Sequence, residues 1–183
     1  VAAAKAKVRE LERLPAIETA RKRENDQLKR ERALNRQLGE MAHQLFSKER
    51  DRATDMESRA ALRHFGESLK GATNAGEAQV NARVLGSMFA LFVEQAQELL
   101  RKKDYLLAAM SFEIASDVKT PQPVVRYNAS RAYALGGDKS NALRSLREAV
   151  NGGFHDAARI ESDEDLKSIR GTKEYRELMA SLR

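Results

Sequence analysis

The chain has no cysteine and no tryptophan, only three prolines, and aromatic residues at 5%. The absence of cysteine excludes disulfides and thiolate metal ligands. It leaves the compartment open, because cysteine-free proteins occur in reducing and oxidising spaces alike. Scarce aromatics mean that any core must be filled mainly by aliphatic side chains. Three prolines and ten glycines in 183 residues favour long helices with few breaks. No apolar run approaches the roughly 18 residues needed to span a bilayer. No signal-peptide pattern follows Val1, so the chain reads as soluble with no compartment assigned. A first residue other than methionine predicts a chain cut from something longer.

What is present points to helix throughout. Hydrophobic residues make up 42% and charged residues 33%, rich in Ala, Leu, Glu, Lys and Arg, all strong helix formers. The expected fold class is all-α. The net charge of +6 raises the prospect of anionic partners. Before residue 40, eleven basic residues stand against six acidic ones. Their signs are interleaved, as suits pairing along a solvated helix. A nucleic-acid surface would more often carry an unbroken basic stripe with aromatics for stacking, so the pattern argues against nucleic acid.

Periodicity then divides the chain. Residues 1 to about 47 read as one or two long helices, with Pro15 predicting a kink or a fresh start. Leu34, Leu38, Met41 and Leu45 recur at steps of four, three and four, a narrow seam of the coiled-coil kind. That seam could join two copies of the chain. It could also receive Leu62, Phe65 and Leu69 from the next helix as an antiparallel hairpin. Thr54 to Glu57 and Asn74 to Glu77 both have the form of a capping box, and the second marks an internal boundary. An apolar-rich helix follows over Glu77–Arg101, then a helix to about Val118, a third carrying Val125, Ala129, Ala132, Tyr133 and Leu135, and a fourth from about Ser140 to Val150. Two short helices, near Asp163–Ile169 and Thr172–Leu182, finish the chain. The expected organisation is 1–74 as a charged hairpin, 75–153 as a repeat pair and 154–183 as a cap.

The repeat is the most informative feature. Two segments match at one fixed offset, of about 34 residues, the length of a common helix-pair repeat. At that offset Lys103-Asp104 falls opposite Gly137-Asp138, Ala108 opposite Ala142, Phe112 opposite Leu146, and Ala115 opposite Ala149. Ala96 likewise matches Ser130, and Leu99 matches Tyr133. Small and large apolar residues recurring at one offset indicate stacked helix pairs. On these residues, the segment from about Phe89 to Phe154 resembles two tandem tetratricopeptide repeats. Lys103, Arg126 and Phe154 depart from that family's pattern, where a glycine, a large aromatic and a proline are usual. Asn74 and Arg176 stand where a third small residue would fall, so two repeats are expected and the terminal segments would cap them. The stretch from Gly153 to Tyr175 looks like the tail that often follows bacterial repeats of this type.

The resemblance implies a concave groove lined by the first helix of each pair. Here it would show Val93, Glu94, Gln97 and Arg101, then Tyr127, Asn128, Arg131 and Leu135. Asn128 could bond a peptide backbone, and Arg101 and Arg131 could pair with carboxylates of a protein or peptide partner. The opposing expectation is a groove filled by the chain's own terminal helices.

Candidates for chemistry are weak. Glu40 and His43 form one Glu-x-x-His unit, but di-metal bundles need two. Ser116 and Lys119 have a Ser-x-x-Lys spacing without its companion motifs. Gly66-Glu-Ser68 is half of a nucleophile elbow, set in a helix with no strand before it. The expected function is therefore non-catalytic protein–protein interaction, with no cofactor and no metal. The alternative is an accessory C-terminal region of a larger bacterial enzyme, such as a hydrolase, with catalysis upstream.

Overall fold

The computed structural model describes residues 2–47, 52–119 and 121–182, with side chains from residue 14 onward except 48–54. The fold is all-helical. Its α-helices are α1 (Ala2–Leu45), α2 (Arg52–Ser68), α3 (Ala75–Arg101), α4 (Tyr105–Val118), α5 (Pro123–Leu135), α6 (Lys139–Asn151), α7 (Ala157–Ser162) and α8 (Lys173–Ala180). A 3-10 turn at Glu164–Leu166 lies between the last two.

Successive helices pack pairwise: α1 on α2, α3 on α4, α4 on α5 and α5 on α6. α1 also lies against α3, α2 against α4, the 3-10 turn against α5 and α8 against α6. The buried side chains form one continuous cluster from Leu38 to Met179, so the three expected segments share a core.

The turns carry the sequence period into backbone geometry. After α3, the amides of Lys102, Lys103 and Asp104 donate to the carbonyls of Glu98, Leu100 and Leu99. After α5, Gly136, Gly137 and Asp138 donate to Ala132, Ala134 and Tyr133, each bond displaced by one full period from its counterpart. Such turns need one residue in the left-handed region, supplied by Lys103 (φ 62°) and Gly137 (φ 81°). Ala108 and Ala142 are both fully buried, as close helix approach requires. The pairs differ in length, however. α3 has 27 residues against 13 in α5, because its extra N-terminal turns pack Val80, Val84 and Met88 into the core.

Two expectations at element ends need correction, and one alternative is decided: α1 is a single helix through Pro15, with no fresh start there. The proline is exposed, so water can satisfy the carbonyl that loses its helical donor, and Pro15 O itself accepts from Thr19 Oγ1 at 2.8 Å. α2 begins at Arg52, before the expected cap at Thr54, whose side chain lies outside the described residues. α7 is additional to the expected helices; the Asp156 side chain starts it by accepting from Arg159 N at 3.0 Å. The Asn74 cap is as read: Asn74 Oδ1 accepts from Glu77 N at 2.9 Å. Glu77 reaches back one residue further than expected, accepting from Thr73 N at 2.8 Å.

Candidate functional site

On α3, the expected groove residues follow helical spacing and share a face. Val93 is half-buried and packs on the core, while Glu94, Gln97 and Arg101 are exposed. Arg101 Nη2 meets Glu98 Oε2 at 2.5 Å, and Lys102 Nζ lies 3.2 Å from Glu98 Oε1. These short-range pairs hold the Glu98 carboxyl below its usual pKa, chiefly through the Arg101 hydrogen bond.

On α5, the equivalent residues are already engaged. Tyr127 is fully buried instead of lining a groove. Its ring stacks on Phe154 with centroids 4.3 Å apart, and its hydroxyl donates to Asp163 Oδ2 at 2.5 Å. Burial, and then the Asp163 carboxylate, pushes the Tyr127 pKa up. Arg131 Nη2 donates to Asp165 Oδ2 at 2.6 Å, and its Nε lies 2.9 Å from Asp163 Oδ2 as an ion pair. Asn128 Oδ1 faces Arg131 Nη1 at 3.4 Å. Leu135 remains exposed. Arg131 thus meets carboxylates, as its chemistry suggests, but they belong to the chain's own tail.

Local sequence places that tail. Asp163 Oδ1 accepts from Asp165 N at 3.1 Å, closing the 3-10 turn. Arg170 Nη2 donates to Asp163 O at 2.6 Å. Ile160, Leu166 and Ile169 are fully buried beneath, and Ser168 Oγ donates to Ala134 O at 3.0 Å.

The Leu34–Leu45 seam is also turned inward. Leu38 and Leu45 are buried, and Leu34 and Met41 pack half-buried against the same core. Leu62, Phe65 and Leu69 share that core, as the hairpin alternative required. Next to the seam, the Phe46 and Phe92 rings lie 5.7 Å apart and join α1 to α3. Leu38 and Leu45 therefore have little surface to offer a second copy.

One site went unread in the sequence. Glu113, on α4, has no exposed side-chain surface and sits at the centre of a charged cluster. It pairs with Arg59 of α2, accepts from Arg144 Nη2 of α6 at 2.5 Å and from Tyr133 Oη of α5 at 2.8 Å. Arg126 lies 3.6 Å away and also reaches Asp117 at 2.5 Å and Glu148 at 3.2 Å. Burial, followed by the Glu113 charge, pushes the Tyr133 pKa up. The cluster ties four helices together, a positioning role that rests on full satisfaction of one buried carboxylate. A lone Glu inside the apolar run of α4 was the available signal.

The candidate chemical motifs are not assembled. Glu40 and His43 are both exposed on α1. Ser116 is buried, whereas Lys119 is exposed, its Nζ 5.9 Å from the Phe89 ring centroid. Gly66 is buried in α2, and Ser68 Oγ donates to Phe65 O at 2.7 Å. Among the described residues no group of three or more His, Asp or Glu side chains is gathered to hold a metal ion. None of the described helices is long and apolar enough to cross a membrane. An open cleft of about 760 Å³ lies between α1 and the start of α3, lined by Arg23, Asp26, Arg30 and residues 73–77 among others. The Arg30–Glu77 ion pair lies in it. Compared with known proteins, the chain matches no family model, no curated sequence and no solved structure.

Proposed function

We propose that the chain is a non-catalytic interaction module of the tetratricopeptide type, whose α3 face binds an extended peptide or a partner helix. One observation carries the reading. Displaced by one period, Tyr127, Asn128, Arg131 and Leu135 correspond to Val93, Glu94, Gln97 and Arg101. The α5 set holds an acidic turn of the chain's own tail through Arg131, while Glu94, Gln97 and Arg101 of the α3 set are exposed. The tail serves as an internal example of what such a face can hold.

The chemistry on α3 suits a mixed polar ligand. Arg101 can exchange its exposed Glu98 pair for a partner carboxylate at little cost, since surface ion pairs contribute only about 0–1 kcal/mol. Gln97 can donate to and accept from a peptide backbone, and Glu94 can receive a basic side chain.

The test is selection of peptides on the full chain from a displayed random library. Selected peptides are expected to carry an acidic residue and to lose at least about tenfold in affinity against Arg101→Glu combined with Gln97→Ala. Peptides that bind the double variant as tightly as the parent chain would remove the α3 face from consideration. A library yielding no binder would count against the module reading itself.

A further inference from the structure

We propose that the chain self-associates through the projecting half of α1, as an antiparallel pair with a second copy. Every residue from 14 to 26 is exposed, so this stretch of helix buries no side chain within the chain, and only Arg23 and Asp26 of it border the cleft at the start of α3. Helices in proteins draw most of their stability from a packed face, and this stretch also contains Pro15. Three large apolar side chains are nevertheless displayed on this half of the helix: Leu14 at 45%, Ile17 at 46% and Leu28 at 42% exposure.

Their placement is orderly. Leu14, Ile17, Arg21, Glu24 and Leu28 follow steps of three, four, three and four. At about 100° per residue they occupy an arc of roughly 80°, a narrow seam of the coiled-coil kind. This seam is distinct from Leu34–Leu45, which the core consumes.

The charges on the seam choose the occupant and its direction. A parallel copy in register would set Arg21 against Arg21 and Glu24 against Glu24, two repulsive layers. An antiparallel copy centred between Lys22 and Arg23 sets Arg21 against Glu24 of the second copy, and does so twice by symmetry. The same register sets Ile17 against Leu28 of the second copy, also twice. Leu14 then reaches Glu31 of the second copy, whose carboxylate is drawn aside by Arg83 at 2.7 Å. Apolar layers outside and complementary charges inside make the surface complementary to itself, the property a two-fold interface requires. The matched seam, from Leu14 to Glu31, is about 18 residues or some 27 Å of helix, within α1 helices that lie alongside each other further in this register, so the association is a concentration-dependent dimer.

The experiment is sedimentation of the full chain from low micromolar to submillimolar concentration. A monomer–dimer equilibrium is expected. Arg21→Glu should weaken it by at least about tenfold, because both central layers become Glu against Glu. The charge swap Arg21→Glu with Glu24→Arg should restore it, with circular dichroism verifying that all three chains are equally helical. A chain that stays monomeric throughout would overturn the proposal. So would a dimer indifferent to Arg21→Glu, or one that the swap fails to restore. None of these variants touches Gln97 or Arg101, so the outcome is independent of the α3 binding face.

Discussion

Lys103 and Gly137 occupy the same position in two turns one repeat apart, and both backbones are left-handed, with φ of 62° and 81°. For a side-chain-bearing residue that conformation costs roughly 1–2 kcal/mol, because its Cβ crowds the following carbonyl. Lys103 is exposed, so its side chain offers little packing in compensation. Lys103→Gly is therefore expected to raise the unfolding free energy by about 1 kcal/mol in urea titration. Gly137→Ala should lower it by a similar amount. A Lys103→Gly chain no more stable than its parent would show that the two turns are not energetically alike.

Glu113 offers a contrast between buried and surface charge. Glu113→Gln leaves Arg59, Arg126 and Arg144 gathered around a neutral group in a buried position. Removing one member of such a cluster typically costs about 3–5 kcal/mol. Glu98→Gln breaks two solvent-screened pairs with Arg101 and Lys102 and should change stability far less. Thermal melts of the two variants side by side check the ordering. Equal effects would mean that the buried cluster is no stronger than a surface pair.

Three buried tyrosines should lower stability at high pH. Tyr127, Tyr133 and Tyr175 all have raised pKa values, each chiefly through burial. A group whose folded pKa lies above its unfolded value stabilises the fold fully below the unfolded pKa, about 10 for tyrosine. That contribution is lost progressively as pH rises beyond about 10. Tyrosinate absorbance should therefore lag in the native chain and complete only with unfolding, while Tyr133→Phe should make the alkaline decline shallower. Full ionisation of all four tyrosines in a chain that keeps its helical dichroism would contradict this account.

The legible parts of the fold were those set by local chemistry. The Asn74 cap, the turn bonds at Asp104 and Asp138 and the buried Ala108 and Ala142 follow from residue type and spacing alone. What could not be read depends on distant partners. Arg131 looks the same in sequence whether it faces water, a ligand or Asp165, far along the chain. Glu113 gathers its partners from residues 59, 126, 133 and 144, a convergence that no local pattern encodes. Pro15 left a kink or a fresh start open, and the local rule alone did not reveal that the exposed helix continues through it.

Residue 74 lies between α2 and α3 in sequence, but the helices on its two sides share one core. Leu45 is fully buried, and the adjoining Phe46 ring meets Phe92 of α3, so the two sides stabilise each other. All four tyrosines, at 105, 127, 133 and 175, lie beyond residue 74, and tryptophan is absent. Tyrosine fluorescence thus reports on the helices after it, while far-ultraviolet dichroism reports on every helix. Leu45→Ala is expected to cost about 2–5 kcal/mol and to move both transitions by the same amount. If dichroism shifts while tyrosine fluorescence does not, the hairpin unfolds independently and the shared core does not couple the two halves.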